Sequence, residues 1–140
     1  EDALEAELAQ TKAPQRVLFA TDGSPCAADA LEFAAAALDK SGVTDTTVLS
    51  VSVAGNDLGE RRAQETSEEG ATTLQRLGWS AKSKVRCGEP AAEIISEARD
   101  SNADLIVMGS RGLSGIKEIM LGSVGREVSE AASCPVLIVR

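Results

Sequence analysis

Two uninterrupted apolar runs, Val17 to Ala20 and Leu105 to Met108, constrain this chain more than any other feature. A strand in which every residue is apolar has both faces buried, the condition of a parallel strand covered by helices above and below. A third run, Val136 to Val139, lies close to the end of the chain. Two further segments alternate. Thr46 to Val53 sets Leu49, Val51 and Val53 on one face and Ser50 and Ser52 on the other. Trp79 to Val85 is punctuated by Lys82 and Lys84, as suits an edge strand protected against further pairing.

The stretches between these strands read as helices. Ser24 and Pro25 are a good N-cap and first helical residue, and Ala27, Ala30, Leu31, Ala34, Ala35 and Leu38 form an apolar stripe that Gly42 should stop. A polar helix is expected from Glu60 to Leu77, with a thin stripe of Ala63, Gly70, Ala71, Leu74 and Leu77, capped by Gly78. Its Glu65, Glu68 and Glu69 read as a solvated face. Another helix should run from Pro90 to Asn102 with Ile94, Ile95 and Ala98 inward, and a last one from Val124 to Ala132. Five strands alternating with four helices call for an α/β fold: a five-stranded parallel sheet with helices on both faces and right-handed crossovers. Strands one and four are the most apolar and belong in the centre, and the lysine-bearing third belongs at an edge. The order 3-2-1-4-5 satisfies both demands, and its topological switch falls between strands one and four.

At that switch the fourth strand opens into Gly109-Ser-Arg-Gly112 and, after nine residues, Gly122-Ser123 at a helix start. Glycines let a ligand approach the main chain, and loop N–H groups together with the free N–H groups of a helix N-terminus form an anion site. Ser110, Ser114 and Ser123 add hydroxyls, and Arg111 adds a cation suited to phosphate oxygens. Strand one delivers Asp22 to the other side of the same crevice.

Composition removes competing functions. The formal net charge of -8 repels nucleic acid, and aromatics make up only 2% of the chain, so no stacking platform is available. There is no histidine, which removes the Ser-His-Asp and Cys-His catalytic arrangements. Cys26, Cys87 and Cys134 are odd in number and lack CxxC spacing, so disulfides and zinc are disfavoured and each reads as a buried or half-buried filler. No apolar run approaches the length of a membrane helix and no signal peptide is visible, which predicts a soluble, cytoplasmic domain. Residues 1–14 form an acidic extension or linker with Leu4 and Leu8 at helical spacing, and residues 15–140 form the domain.

Three stretches carry a resemblance to a known family. Val17 to Ser24 reads VLFATDGS, Gly88 to Ala98 reads GEPAAEIISEA, and Ala103 to Arg140 contains ADLIVMGSRGLSG, LGSVGREV and CPVLIVR. Together they resemble the universal stress protein family, in its ATP-binding branch, with a Rossmann-like fold akin to the adenine nucleotide α-hydrolases. The resemblance implies ATP, with Mg2+ accompanying it, lying across the crevice. Ala20, Thr21 and Asp22 match positions near the nucleoside, and Val53 matches the strand-two position beside adenine. Met108 and Gly109 match the end of strand four, while Gly112, Gly122, Ser123 and Val124 match the phosphate positions. It also implies a homodimer through Val136 to Val139. The chain departs from the family where a histidine commonly precedes the Cys-Pro pair, here Ala131-Ala132-Ser133, and at Ser52, where strand two commonly carries histidine.

The expected function is a nucleotide-dependent regulatory module in the stress response. A turnover enzyme lacks its parts: there is no GxxxxGK[ST] lysine, and no paired carboxylates stand at the loop. Two alternatives remain open at this stage: a slow ATPase using Asp22 to aid Mg2+ or water, and a cytoplasmic sensor domain attached to a membrane transporter.

Overall fold

The computed structural model describes residues 14–53, 55–110 and 122–140. The expectations for Glu1 to Lys12, and those for Arg111, Gly112 and Ser114, lie outside the described residues. The element order is β1 (Arg16–Ala20), α1 (Pro25–Ala37), β2 (Asp45–Ser52), α2 (Asp57–Arg76), β3 (Ala81–Cys87), α3 (Pro90–Asp100), β4 (Leu105–Gly109), α4 (Ser123–Ala131) and β5 (Val136–Val139). All four strand pairings are parallel and the sheet order is β3-β2-β1-β4-β5, as the sequence predicts.

The alternating pleat of β1 and β4 feeds two cores. Val17, Phe19, Val48, Val107, Leu74 and Trp79 form one, on the face covered by α1 and α2. Leu18, Leu49, Ile94, Ile106, Met108 and Val128 form the other, beneath α3 and α4. Burial on both faces is why strands one and four read as continuous apolar runs.

Several boundaries differ from expectation, each for a local reason. Helix α1 ends at Ala37, ahead of Gly42, because Leu38 turns extended (φ -78, ψ 142) while its N–H still bonds the Ala34 carbonyl. Its side chain is thereby packed against the first core. Strand β2 ends at Ser52, and Thr46 to Ser50 are all buried, so the expected one-sided alternation gives way to burial on both faces. Val53 lies past the strand and is 70% exposed.

Strand β3 starts at Ala81, two residues after Trp79, which belongs instead to the end of α2. There Gly78 takes φ +92, its N–H bonds the Gln75 carbonyl at 3.1 Å, and the Trp79 N–H bonds the Leu74 carbonyl at 2.9 Å. That pair of bonds is a Schellman motif, with Leu74 and Trp79 in one core as its apolar contact. Trp79 is the core anchor expected of it. It meets Phe19 edge-on at 5.4 Å, and its indole N–H donates to the Ala35 carbonyl at 3.0 Å.

Helix α3 has a cap the sequence reading missed: the Glu89 carboxylate accepts from the N–H groups of Ala91 and Ala92. On its inner side Glu97, only 3% exposed, takes Arg86 at 2.8 Å and Lys84 at 2.9 Å from β3. Arg86 also pairs with Glu93 and Asp100, and these carboxylates hold its guanidinium well above its ordinary pKa. The edge strand is therefore fastened to α3 by charge. All three cysteines are free. Cys26 and Cys134 are half-buried as expected, but Cys87 is exposed at the end of β3, where its thiol donates to Glu60 at 3.2 Å. That carboxylate pushes the thiol pKa up.

Candidate functional site

The carboxyl ends of β1, β2 and β4 open into a cavity of about 560 Å3, within the range of small-molecule and cofactor sites. On the β1 side it is lined by Ala20, Thr21 and Asp22. This loop is tightly held. The Thr21 N–H donates to the Leu49 carbonyl at 3.0 Å, and the Thr21 hydroxyl accepts from the Gly23 N–H at 3.2 Å. One oxygen of the Asp22 carboxylate accepts from the Ser24 N–H at 2.9 Å, the local turn bond short polar side chains make. Gly23 has φ +81, and a Cβ there would stand 2.9 Å from the Thr66 hydroxyl oxygen, so α2 buttresses the loop.

On the β4 side Met108, Gly109 and Ser110 line the cavity. The Ser110 N–H donates to the Val139 carbonyl at 2.8 Å, and the Ser110 carbonyl accepts from the Gly122 N–H, also at 2.8 Å. Two chain segments separated by eleven residues are thus pinned together at the cavity wall. Gly122, Ser123 and Val124 line it next. Helices α1, α2 and α3 each have a side chain accepting from their first-turn N–H groups: Ser24, Asn56 and Glu89 respectively. Helix α4 begins at Gly122 with no side-chain cap. Its first N–H groups have no side-chain cap among the described residues, and the positive end of the helix favours an anion there.

The structure therefore gathers ten of the twelve expected residues around one cavity. Val53 is at its rim; Arg111 and Gly112 lie outside the described residues. Residues that the sequence reading did not select also line it. Ile94 and Pro90 come from α3, Ser50 and Ser52 from β2, and Arg62 and Thr66 from α2. A usable signal existed for the last pair: Gly59, Arg62, Ala63 and Thr66 recur at i, i+3, i+4 and i+7, the spacing of one helix face. Among the described residues no group of three or more His, Cys, Asp or Glu side chains is placed to hold a metal ion. No described helix is long and apolar enough to cross a membrane.

Comparison with known proteins agrees with this fold. The sequence profile of the universal stress protein family matches residues 14–140. The chain belongs to the universal stress protein family. Among its universal stress protein relatives, YxiE of Bacillus subtilis is 37% identical over 147 residues, spanning 89% of this chain and 98% of YxiE. A universal stress protein solved in complex with cAMP superposes with a TM-score of 0.74 at 27% identity, over 92% of this chain and 98% of that one. The universal stress protein of Archaeoglobus fulgidus solved with dAMP gives 0.73 at 26% identity, over 90% and 98% of the two chains. The five-stranded parallel sheet in the order 3-2-1-4-5 is the fold that this universal stress protein shares with them.

Proposed function

We propose that the cavity binds an adenine nucleotide, ATP in particular, and that the chain acts as a nucleotide-dependent regulatory module in the stress response. One observation carries this reading. A single cavity joins an apolar wall of Leu49, Val51, Ile94 and Met108 to the uncapped start of α4 beside Gly109 and Ser110. The first suits a flat, uncharged base, and the second suits phosphate. Relatives of the same fold solved with cAMP and dAMP support an adenine ligand.

In this reading Asp22 contacts the ribose through the carboxylate oxygen that its turn leaves unused. Gly109, Ser110, Gly122, Ser123 and Val124 contact the phosphates, joined by Arg111 and Gly112. Mg2+ arrives with the phosphates, since the described residues of the wall include no ligand cluster. Residues 15–140 form the binding domain, and the free cysteines fit a reducing, cytoplasmic setting. Strand β5 is an edge strand of four half-buried apolar residues, and a second copy of the chain pairing there would cover it.

Thermal unfolding tests the reading. Saturating ATP with Mg2+ should raise the unfolding midpoint of nucleotide-stripped protein, because a ligand that binds only the folded state stabilises it by mass action. An unchanged midpoint at millimolar ATP contradicts the proposal. Sustained phosphate release that is abolished in Asp22→Ala would replace a regulatory module with a hydrolase.

A further inference from the structure

Three large apolar side chains are exposed among the described residues: Phe33, Val53 and Leu58. Val53 lies at the rim of the cavity and Leu58 in the first turn of α2. Phe33 stands apart from both, 66% exposed in the second half of α1.

The helix fixes its direction. Leu31 faces α2, because a Cβ on Gly70 would stand 3.3 Å from its Cδ1. A helix turns about 100° per residue, so Phe33 lies about 200° round from Leu31 and points away from α2. The side of α1 away from α2 is the β5 edge, since α1 lies over β4 and β5 while α2 lies over β2 and β3.

The sheet register fixes its level along the strands. The same Cβ on Gly70 would stand 2.7 Å from Val48, and Val48, Phe19, Val107 and Leu137 form one row across β2, β1, β4 and β5. Leu31 is near that row, and Phe33 is about 3 Å further along α1. Phe33 thus stands above the edge at the level of Leu137, close to the middle of β5. Leu137 and Val139 are half-buried against the core beneath α1, so the apolar surface runs from the edge strand to the helix.

Symmetry decides what Phe33 meets there. Identical edge strands pair antiparallel about a two-fold axis perpendicular to the sheet, an operation that keeps the same face upward. Both copies of α1 then stand on one face of the joined sheet. Strands are about 4.8 Å apart, so β4 lies about 7 Å from the axis and the two α1 helices about 14 Å from each other. Helices in contact are about 8–10 Å apart, which leaves a gap of about 5 Å. Cys26, Ala30 and Ala37 share this flank of α1 with Phe33 at i, i+4, i+11 and i+7 spacing, and all three are small. Phe33 is the side chain of the flank that reaches across.

Given the β5 pairing proposed above, we propose that Phe33 is a self-association contact, the two phenylalanines filling the groove between the α1 helices of paired copies. The occupant of this surface is a second copy of the chain. Exposed in a single copy, Phe33 is buried in the pair, and each association takes two aromatic rings out of water.

Sedimentation equilibrium of the unaltered chain, Phe33→Ala, Phe33→Glu and Ala28→Glu over a concentration series tests this. Phe33→Ala should raise the dimer dissociation constant at least about tenfold and Phe33→Glu at least about 100-fold, the scales of a central apolar contact and of like charges brought together. Ala28→Glu adds the same charge at an exposed position on the other flank of α1 and should leave the constant unchanged. Amide exchange gives a second readout: exchange in β5 should slow with concentration in the unaltered chain and stay fast in Phe33→Glu. At dilutions where all four proteins are monomeric, the Phe33 variants should keep the unfolding midpoint of the unaltered chain, because an exposed side chain is replaced. A dimer indifferent to Phe33→Glu, or weakened as much by Ala28→Glu, would overturn the inference and leave the β5 pairing standing. A lowered midpoint in dilute Phe33→Glu would overturn it too, since another segment of the same chain would then cover Phe33. An unaltered chain that stays monomeric, or that dimerises with no change of exchange in β5, would remove the pairing itself and the role of Phe33 with it.

Discussion

Thr66 stands over Gly23 so closely that a Cβ on the glycine would lie 2.9 Å from the threonine hydroxyl oxygen and 3.1 Å from its methyl. With φ +81, Gly23 also occupies a backbone conformation that side chains disfavour. Gly23→Ala should therefore destabilise the fold by about 1–3 kcal/mol in denaturant unfolding. Adding Thr66→Ala should recover the steric part and leave the conformational part. A Gly23→Ala protein as stable as the original would mean that α2 does not brace the loop carrying Asp22.

Glu97 is a buried acid serving two cations, and its removal takes from the half-buried Arg86 one of its three carboxylate partners. Glu97→Ala should cost about 1–3 kcal/mol, the scale of a lost hydrogen bond between charged groups. Lys84→Ala should cost far less, because that side chain is half exposed. Equal losses at the two positions would contradict a network centred on Arg86 and Glu97.

Asp104 joins the start of β1 to the start of β4: one carboxylate oxygen accepts from the N–H groups of Arg16 and Gln15, both at 2.9 Å. Those bonds hold its pKa below the ordinary carboxylate value. A group whose pKa is lowered in the folded state adds stability above its unfolded pKa, near 4, and loses it as pH falls through the folded value. Asp104→Asn should thus be less stable than the unaltered protein at neutral pH, with the gap closing progressively below pH about 4. The gap should be modest because Asp104 is exposed. A gap that widened in acid would carry the wrong sign.

Trp79 donates its indole N–H to the Ala35 carbonyl near the end of α1, where the helix supplies few partners of its own. Trp79→Phe keeps an aromatic ring but leaves that carbonyl unpaired. A loss of about 1–3 kcal/mol in equilibrium unfolding is expected. No measurable loss would show that water satisfies the carbonyl at no cost.

The sheet order was legible because burial on both faces writes itself into sequence as the unbroken runs Val17 to Ala20 and Leu105 to Met108. Strand ends were harder. Val53 is apolar yet lies beyond the sheet, and Trp79 continues the alternation of β3 while belonging to the end of α2. The turn after β1 was legible because Asp22, Gly23 and Ser24 are turn and cap residues. The α2 wall was not, since Arg62 and Thr66 sit in a helix that reads as polar. Which face of that helix meets the cavity depends on a close approach to β2, where a Cβ on Gly70 would stand 2.7 Å from Val48. The helical spacing of Gly59, Arg62, Ala63 and Thr66 marks them as one face but does not say that this face meets the cavity.

Gly122 stands where the proposed phosphate site between Ser110 and α4 would be most sensitive to added bulk. A Cβ on Gly122 would stand 3.2 Å from the Ser110 carbonyl oxygen, and larger bulk would intrude where phosphate must approach the main chain. The measurement is a parallel calorimetric titration of Mg-ATP into the nucleotide-stripped native protein and folded Gly122→Val. The native chain should bind with a Kd on the order of micromolar, and the variant at least about tenfold more weakly. Equal affinity in the two proteins, or no binding by the folded native chain, would contradict it.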